Sequence, residues 1–385
     1  MKLTLRSDRV LTPTGITPAE VVIEDGIITD ISNHTNSTAL EMGDMLITPG
    51  FVDVHSDAIE KELEPRPGAF FPVEQSIAEM DRKLAMAGVT TMFHAIAFET
   101  RKASELRKTE FSENMIRTLK RMNSERLRVD NRIHARFEVS SLDSVPTIEA
   151  LLQDKLVDLF SVMDHAPGQG QFKCESKWEE FYGKSYKMTQ EELANLKAKK
   201  LNKDEETILR LINLALEKNV SIASHDDCSI EKVKEMTDLG ITISEFPLSL
   251  EVAQYAKECG LYTGMGAPNI VRGGSQSGNI AAKELVINNV CDYLCSDYHP
   301  MSLLNAVYVM RDTLNLPLEE GFKMVTSNPA RMSGLTDRGE ISVGKRADIA
   351  VIDDSYLPTS LMTISEGKVV HNMTGTYCNE LHRIS

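Results

Sequence analysis

Pro49-Gly50-Phe51-Val52-Asp53-Val54-His55-Ser56-Asp57 is the stretch from which the rest of the chain is best read. A strand is expected over 51–54, ending in two side chains that can hold a metal. Residues two apart on a strand point the same way, so His55 and Asp57 can reach one ion. Imidazole and carboxylate together suit zinc, manganese or iron. A His-x-Asp triplet alone is weak, because it occurs by chance in many sequences; its surroundings carry the weight.

Seven further strand candidates follow, at 89–93, 133–139, 158–163, 220–224, 242–246, 261–264 and 293–296. Helical stretches separate most of them. The clearest spans 207–218, where Ile208, Leu211, Ile212, Ala215 and Leu216 mark one apolar face. Eight strands alternating with helices predict an α/β fold, a distorted (β/α)8 TIM-like barrel. Residues 170–206 break the rhythm. They are polar, hold the sole tryptophan (Trp178) and include Lys197-Ala198-Lys199-Lys200. They read as an insertion, either simply solvated or a lid over a site.

Both ends are β-rich. Short strands are expected at 2–5, 21–24 and 27–31, with Asp25-Gly26 as a hairpin turn. Others are expected at 339–341, 348–353 and 368–371. Neither end is large enough for a core of its own. The expected domains are a small β-sandwich formed by 1–48 with 340–385, and a hydrolase barrel over 49–339.

The length of 385 residues allows two to three domains. The formal charge, 42 − 57 = −15, argues against a nucleic-acid partner. No apolar run approaches the roughly 20 residues of a membrane helix, and Met1-Lys2-Leu3-Thr4-Leu5-Arg6 lacks the apolar stretch of a secretory signal. Six cysteines are too sparse for a disulfide scaffold. Reduced cysteines and a cytoplasmic location are expected; a homo-oligomer is left open.

His34, His371 and His382 fall in the outer shell or tail and read as structural or solvated. His134 falls at a strand start, the wrong end for barrel chemistry. His55, His94, His165, His225 and His299 fall at or just past strand C-termini, where a barrel gathers its active site. Carboxylates join them: Glu138 in Arg136-Phe137-Glu138-Val139, Asp226 and Asp227 after His225, and Asp297 in Ser296-Asp297-Tyr298-His299.

This order resembles the amidohydrolase superfamily: His-x-Asp after a Pro-Gly-Phe-Val-Asp strand, a mid-chain His and a late Ser-Asp. Thr326-Ser327-Asn328-Pro329-Ala330-Arg331 and Gly344-Lys345-Arg346-Ala347-Asp348-Ile349-Ala350-Val351-Ile352-Asp353 fit the same pattern. Longer motifs resemble, more narrowly, the phosphonate-metabolism protein M family. These are His55-Ser56-Asp57 with Glu60-Lys61, Pro65-Arg66-Pro67-Gly68, Met163-Asp164-His165-Ala166-Pro167-Gly168-Gln169, and Gly266-Ala267-Pro268-Asn269-Ile270-Val271-Arg272-Gly273-Gly274-Ser275.

The narrower resemblance implies hydrolysis of α-D-ribose 1-methylphosphonate 5-triphosphate to the 5-phosphate and pyrophosphate, upstream of carbon–phosphorus bond cleavage. The superfamily usually carries His where this chain has Asp57, and His after the sixth strand, where this chain offers Glu245. The metal set implied is His55, Asp57, Glu138, His165, His225 and Asp297, with Glu138 as the bridge between ions. One or two divalent ions are expected, zinc first and manganese or iron as alternatives. Such an ion lowers the pKa of water from about 15.7 to roughly 7. By the same resemblance Asp297 accepts the water's proton; His299 is a candidate to protonate the leaving group.

Charge growing on phosphoryl oxygens needs metal, Arg or Lys. Arg272 can bind phosphate in a fork, and Gly273, Gly274 and Ser275 can bring backbone N–H groups close. Lys61, Arg66, Gln169 and Glu245 complete the substrate set. The net acidity therefore does not exclude a polyphosphate, since the substrate meets only a cleft of metal, Arg and Lys. Two rivals remain: a metal-dependent amidase or deaminase acting on a C–N bond, and a non-catalytic scaffold, which predicts missing ligands.

Overall fold

The computed structural model describes residues 2–33, 38–99, 105–168, 170, 175–186, 188–275 and 278–374. His34, His382 and Gln169 lie outside them. Among the described residues sixteen strands form: β1 Lys2–Thr12, β2 Gly15–Glu24, β3 Ile27–Ser32, β4 Leu40–Glu41, β5 Leu46–Pro49, β6 Phe51–Ser56, β7 Val89–Phe98, β8 Asp130–Glu138, β9 Leu159–Met163, β10 Ser221–His225, β11 Ile243–Glu245, β12 Tyr262–Gly266, β13 Tyr293–Cys295, β14 Ile349–Asp353, β15 Thr359–Ser365 and β16 Lys368–Asn372.

Strands β6 to β13 make one sheet in sequential order. The last strand returns to the first. Asp297 N–H donates to His55 O at 2.9 Å, Asp57 N–H donates to Asp297 O at 2.7 Å, and Ser56 and Asp297 form a parallel bridge. That return closes the sheet into the expected (β/α)8 barrel. All eight expected strands are present. Their partners run parallel where β8 meets β9, β9 meets β10, β10 meets β11 and β11 meets β12. The register sets Glu138 opposite Met163, and His225 opposite Glu245. Strand ends rich in His and carboxylate are thereby aligned along one edge.

Three residues at those ends, Asp226 (φ 56°), Phe246 (φ 56°) and Asp297 (φ 57°), take the left-handed conformation. This turns the chain sharply out of the sheet. For a non-glycine residue it costs roughly 1–2 kcal/mol, least for Asp and Asn.

Two strands differ from expectation, and each moves a histidine. β7 runs on to Phe98, because the whole of Val89–Phe98 is buried. His94 is therefore mid-strand, and the residue after the strand end is Glu99. β8 begins at Asp130, which makes His134 a fully buried mid-strand residue rather than a strand start.

By contact density the chain forms two compact units. One is Met1–Met92 with Arg121–Asn131 and Tyr293–Ser385; the other is Phe93–Lys120 with Arg132–Asp292. The first contains the terminal sheet, of order β16-β15-β14-β5-β1-β2-β3, with β4 on β1. Asp25 (φ 49°) and Gly26 (φ 87°) both have positive φ, the type I′ geometry that matches hairpin twist. Three strands were not expected. The short β4 and β15 are two of them. The third, β5, pairs with β1 on one side and β14 on the other, so it joins the two ends of the chain. The expected strand at 339–341 does not form. Ile341 instead fills the core of this sheet, among Leu5, Val10, Val21 and Ile349.

In the second unit the amphipathic segment becomes the helix Glu205–Glu217. It buries Leu211, Ile212 and Ala215, but Leu216 is exposed, so the apolar face is narrower than expected. The insertion forms two helices, Glu175–Tyr186 and Gln190–Lys200. Trp178, Tyr182 and Leu193 bury one another between them. The second helix starts on a reciprocal Thr189–Glu192 capping box. Among the described residues no helix is long and apolar enough to cross a membrane. The described cysteines Cys228, Cys259, Cys291 and Cys295 are free thiols.

Candidate active site

In the second unit, buried side chains from the ends of β8, β9 and β10 form one chain of contacts. His165, two residues beyond β9, directs Nδ1 at Glu138 Oε2, 2.7 Å away. Its Nε2 faces Asp226 Oδ2 at 3.6 Å, and Asp226 Oδ2 lies 3.1 Å from His225 Nδ1. The indole N–H of Trp178 donates to His165 O at 3.0 Å, which ties the first insertion helix to this segment.

Behind Glu138 the chain continues. Lys200 Nζ lies 2.7 Å from Glu99 Oε1 and 3.1 Å from Glu138 Oε1. Arg107 stands 3.5 Å from the other oxygen of Glu99. Ser140 Oγ and His165 N–H also donate to Glu138 Oε1, each at 3.3 Å.

Charge follows from these contacts. Burial pushes the Glu138 carboxyl up, but Lys200 and His165 outweigh it and hold it below the usual carboxylate range. Burial pushes His165 down, yet Glu138 and Asp226 raise it above the ordinary imidazole value. Asp226, opposed by burial but flanked by both histidines, is held well below the carboxylate range. Its neighbour Asp227 is raised by burial, despite hydrogen bonds from Ser224 and Ser244. Glu245 is buried at the end of β11, with its carboxylate 3.8 Å from His134 Nε2.

The first unit holds a second group. His55 is buried at the end of β6, and Asp57 and Asp297 are half-buried beside the β6–β13 seam. Asp53 clamps that seam, accepting from Ser296 N–H at 3.0 Å and His55 N–H at 3.3 Å. Ser296 Oγ donates to Ser56 Oγ at 2.9 Å. His299 is exposed just past β13. Lys61 and Arg66 are exposed in the segment after β6.

Arg272 ends the helix Ala267–Arg272 and is exposed. The glycines after it do not serve as expected. Gly273 (φ 79°) caps the helix; its N–H donates to Ile270 O at 3.1 Å, and Gly274 N–H donates to Asn269 O at 3.0 Å. These donors satisfy the helix terminus, so they are not turned toward a phosphate. Ser275 is half-buried beyond them.

Sequence reading missed Glu99, because β7 was expected to stop early. It missed Lys200, which sits in an apparently solvated run of lysines. Asp226 was visible at its strand end but was given no role.

The chain is 36% identical over 316 residues to α-D-ribose 1-methylphosphonate 5-triphosphate diphosphatase of Escherichia coli (strain K12), covering 79% of this chain and 82% of that protein. A family model for the amidohydrolase family matches residues 207–371. This chain belongs to the amidohydrolase family.

Solved amidohydrolase structures bear out the architecture. N-acetyl-D-glucosamine-6-phosphate deacetylase from Mycobacterium smegmatis superposes with a TM-score of 0.66 at 16% identity, covering 96% of this chain and 100% of that one. Dihydropyrimidinase from Brevibacillus agri NCHU1002 superposes with a TM-score of 0.65 at 12% identity, covering 97% and 95%. At such identities the likeness concerns fold alone.

The donor chemistry of this amidohydrolase fits a divalent ion. His165, His225 and Asp226 each place a ligand atom within 4.8 Å of the others, and Glu99, Glu138 and His165 do the same. Both groups mix imidazole with carboxylate, as transition-metal sites do, but in the second the Lys200 ammonium already lies against both carboxylates.

Proposed function

We propose that this amidohydrolase is a metal-dependent triphosphate diphosphatase of phosphonate breakdown. Its substrate is α-D-ribose 1-methylphosphonate 5-triphosphate, and its products are the 5-phosphate and pyrophosphate. The observation that carries this reading is the 36% identity to the Escherichia coli diphosphatase over 79% of the chain. The long motifs around His55, His165 and Arg272 agree with it.

The residues that would hold metal are His165, His225 and Asp226 in one unit, and His55, Asp57 and Asp297 in the other. Zinc is the first candidate, with manganese or iron next. When bound, the ion supplies Lewis acidity toward phosphoryl oxygens and acidifies water. We assign Glu138 to orienting His165 rather than to bridging two ions, since its oxygens already face His165 and Lys200. Carboxylate–imidazole pairs of this kind fix ring orientation and tautomer at metal sites.

Asp297 holds the attacking water and takes its proton. The water oxygen forms the new bond to the α-phosphorus; the bond from that phosphorus to the α,β-bridging oxygen breaks. The electron pair leaves on pyrophosphate, and His299 is the candidate to protonate it. Arg272, Lys61 and Arg66 supply positive charge to the triphosphate. Arg acts here through its side chain, because the neighbouring glycine N–H groups are engaged in the helix cap. The test is phosphorus NMR on purified protein loaded with zinc or manganese and given the ribose triphosphate. Stoichiometric pyrophosphate supports the reading. A filled metal site without phosphate products, together with hydrolysis of an amide or aminopurine, would replace it with the C–N hydrolase.

A further inference from the structure

The insertion places a fixed positive charge among the buried carboxylates. Lys200 is the last residue of the helix Gln190–Lys200. Unlike Lys197 and Lys199 before it, its side chain is only 3% exposed. It reaches two carboxylates from different strand ends, Glu99 after β7 and Glu138 at the end of β8, at 2.7 and 3.1 Å. Both are buried, at 2% and 0% side-chain exposure. An ammonium is buried this deeply only when opposite charges compensate its lost hydration. Here two carboxylates share it.

Without Lys200 the same geometry describes an ion site. Glu99, Glu138 and His165 offer three ligand atoms within 4.8 Å of one another, all buried. Two neighbouring carboxylates cannot both stay charged in such a place without a cation. Arg107 touches Glu99 from the other side, at 3.5 Å, and its contact is with Glu99 Oε2 rather than with the oxygen that faces Lys200.

We infer that Lys200 is a tethered cation standing in the place of a metal ion: the Glu99–Glu138 pair is charge-matched by Lys200 from the insertion together with Arg107, and takes no divalent ion in the native enzyme. The inference goes beyond the proposed reaction and is independent of it. It gives the insertion a definite task, which is to fix one end of its helix against the carboxylates that orient His165.

The test is metal stoichiometry. Wild-type protein, Lys200→Met and the double variant Glu99→Gln/Lys200→Met are dialysed to equilibrium against Mn²⁺, and bound manganese is counted by mass spectrometry. Thermal midpoints are measured with and without Mn²⁺. Lys200→Met should bind one more equivalent than wild type, and added Mn²⁺ should raise its midpoint more than that of wild type. The double variant, with the lost cation balanced by a lost carboxylate, should return to the wild-type count. Equal stoichiometry in Lys200→Met and wild type would overturn the inference. So would a Lys200→Met protein that fails to fold and is not recovered by Mn²⁺. Turnover is not the readout, so this result and that of the phosphatase assay stand apart.

Discussion

His165 is held at both ring nitrogens: Nδ1 lies 2.7 Å from Glu138 Oε2, and Nε2 lies 3.6 Å from Asp226 Oδ2. The imidazole is fixed from behind by a buried carboxylate and directed forward at another. Glu138→Gln keeps the shape but removes the charge that orients the ring. Loss of such an outer partner typically costs about 10–100-fold in metal affinity. A chelator-competition titration should show that loss in this variant, and unchanged affinity would mean that Glu138 does not position His165.

Asp297 occupies a left-handed backbone position (φ 57°) while its N–H donates to His55 O. Asn tolerates that conformation nearly as well as Asp. Asp297→Asn should therefore fold with a wild-type circular dichroism spectrum and melting profile. Its kcat should fall by about 10²–10⁴-fold, the usual contribution of a general base. Full activity would remove Asp297 from the reaction.

Gly273 separates two readings of the loop after Arg272. Its φ of 79° and the N–H bond to Ile270 O make it the cap of a short helix. An alanine there should cost roughly 1 kcal/mol of stability and leave KM for the triphosphate unchanged. Arg272→Ala should do the reverse, raising KM with little change in thermal midpoint. A raised KM in a stable Gly273→Ala protein would restore the backbone phosphate cradle.

The terminal sheet carries a separate acid-sensitive contact. Arg9 grips Asp354 with two bonds of 2.7 and 2.9 Å, and Tyr308 OH donates to the same carboxylate at 3.0 Å. The Arg9 bond, followed by that from Tyr308, holds this carboxyl below its ordinary value although burial opposes it. The stabilisation is thus complete above the unfolded-state pKa of about 3.9 and is lost as pH falls through the lower folded value. Asp354→Asn should be less stable at neutral pH, by about 1 kcal/mol for a partly exposed pair. Urea titrations from pH 7 to pH 2.5 should show the gap to wild type closing below pH about 4. A gap that persists at the acid end would assign it to packing instead.

The barrel was legible because each strand is a short apolar run with a polar group at its end. His55, His225 and Asp297 announce themselves in this way. Register then follows from parallel pairing, which sets His225 beside Glu245. What stayed hidden depended on where strands stop and on long-range burial. Nothing in Phe93-His94-Ala95-Ile96-Ala97-Phe98 marks its histidine as interior, so the expected strand end falls about five residues too soon and leaves Glu99 unassigned. Lys200 looks like its neighbours Lys197 and Lys199. Only the fold of the insertion around Trp178 and Tyr182 carries it inward. The strand β5 is four residues long, and its role in joining both termini lies in its partners rather than in its own composition.

The most direct test of the central claim is the fate of phosphorus. Metal-loaded wild-type protein is mixed with α-D-ribose 1-methylphosphonate 5-triphosphate in water enriched in ¹⁸O, and the products are followed by phosphorus NMR. One pyrophosphate should appear for each ribose 5-phosphate, with the heavy oxygen in the 5-phosphate, as the proposed attack on the α-phosphorus requires. Heavy oxygen in pyrophosphate, orthophosphate as the first product, or no phosphorus product from metal-filled enzyme would contradict the account.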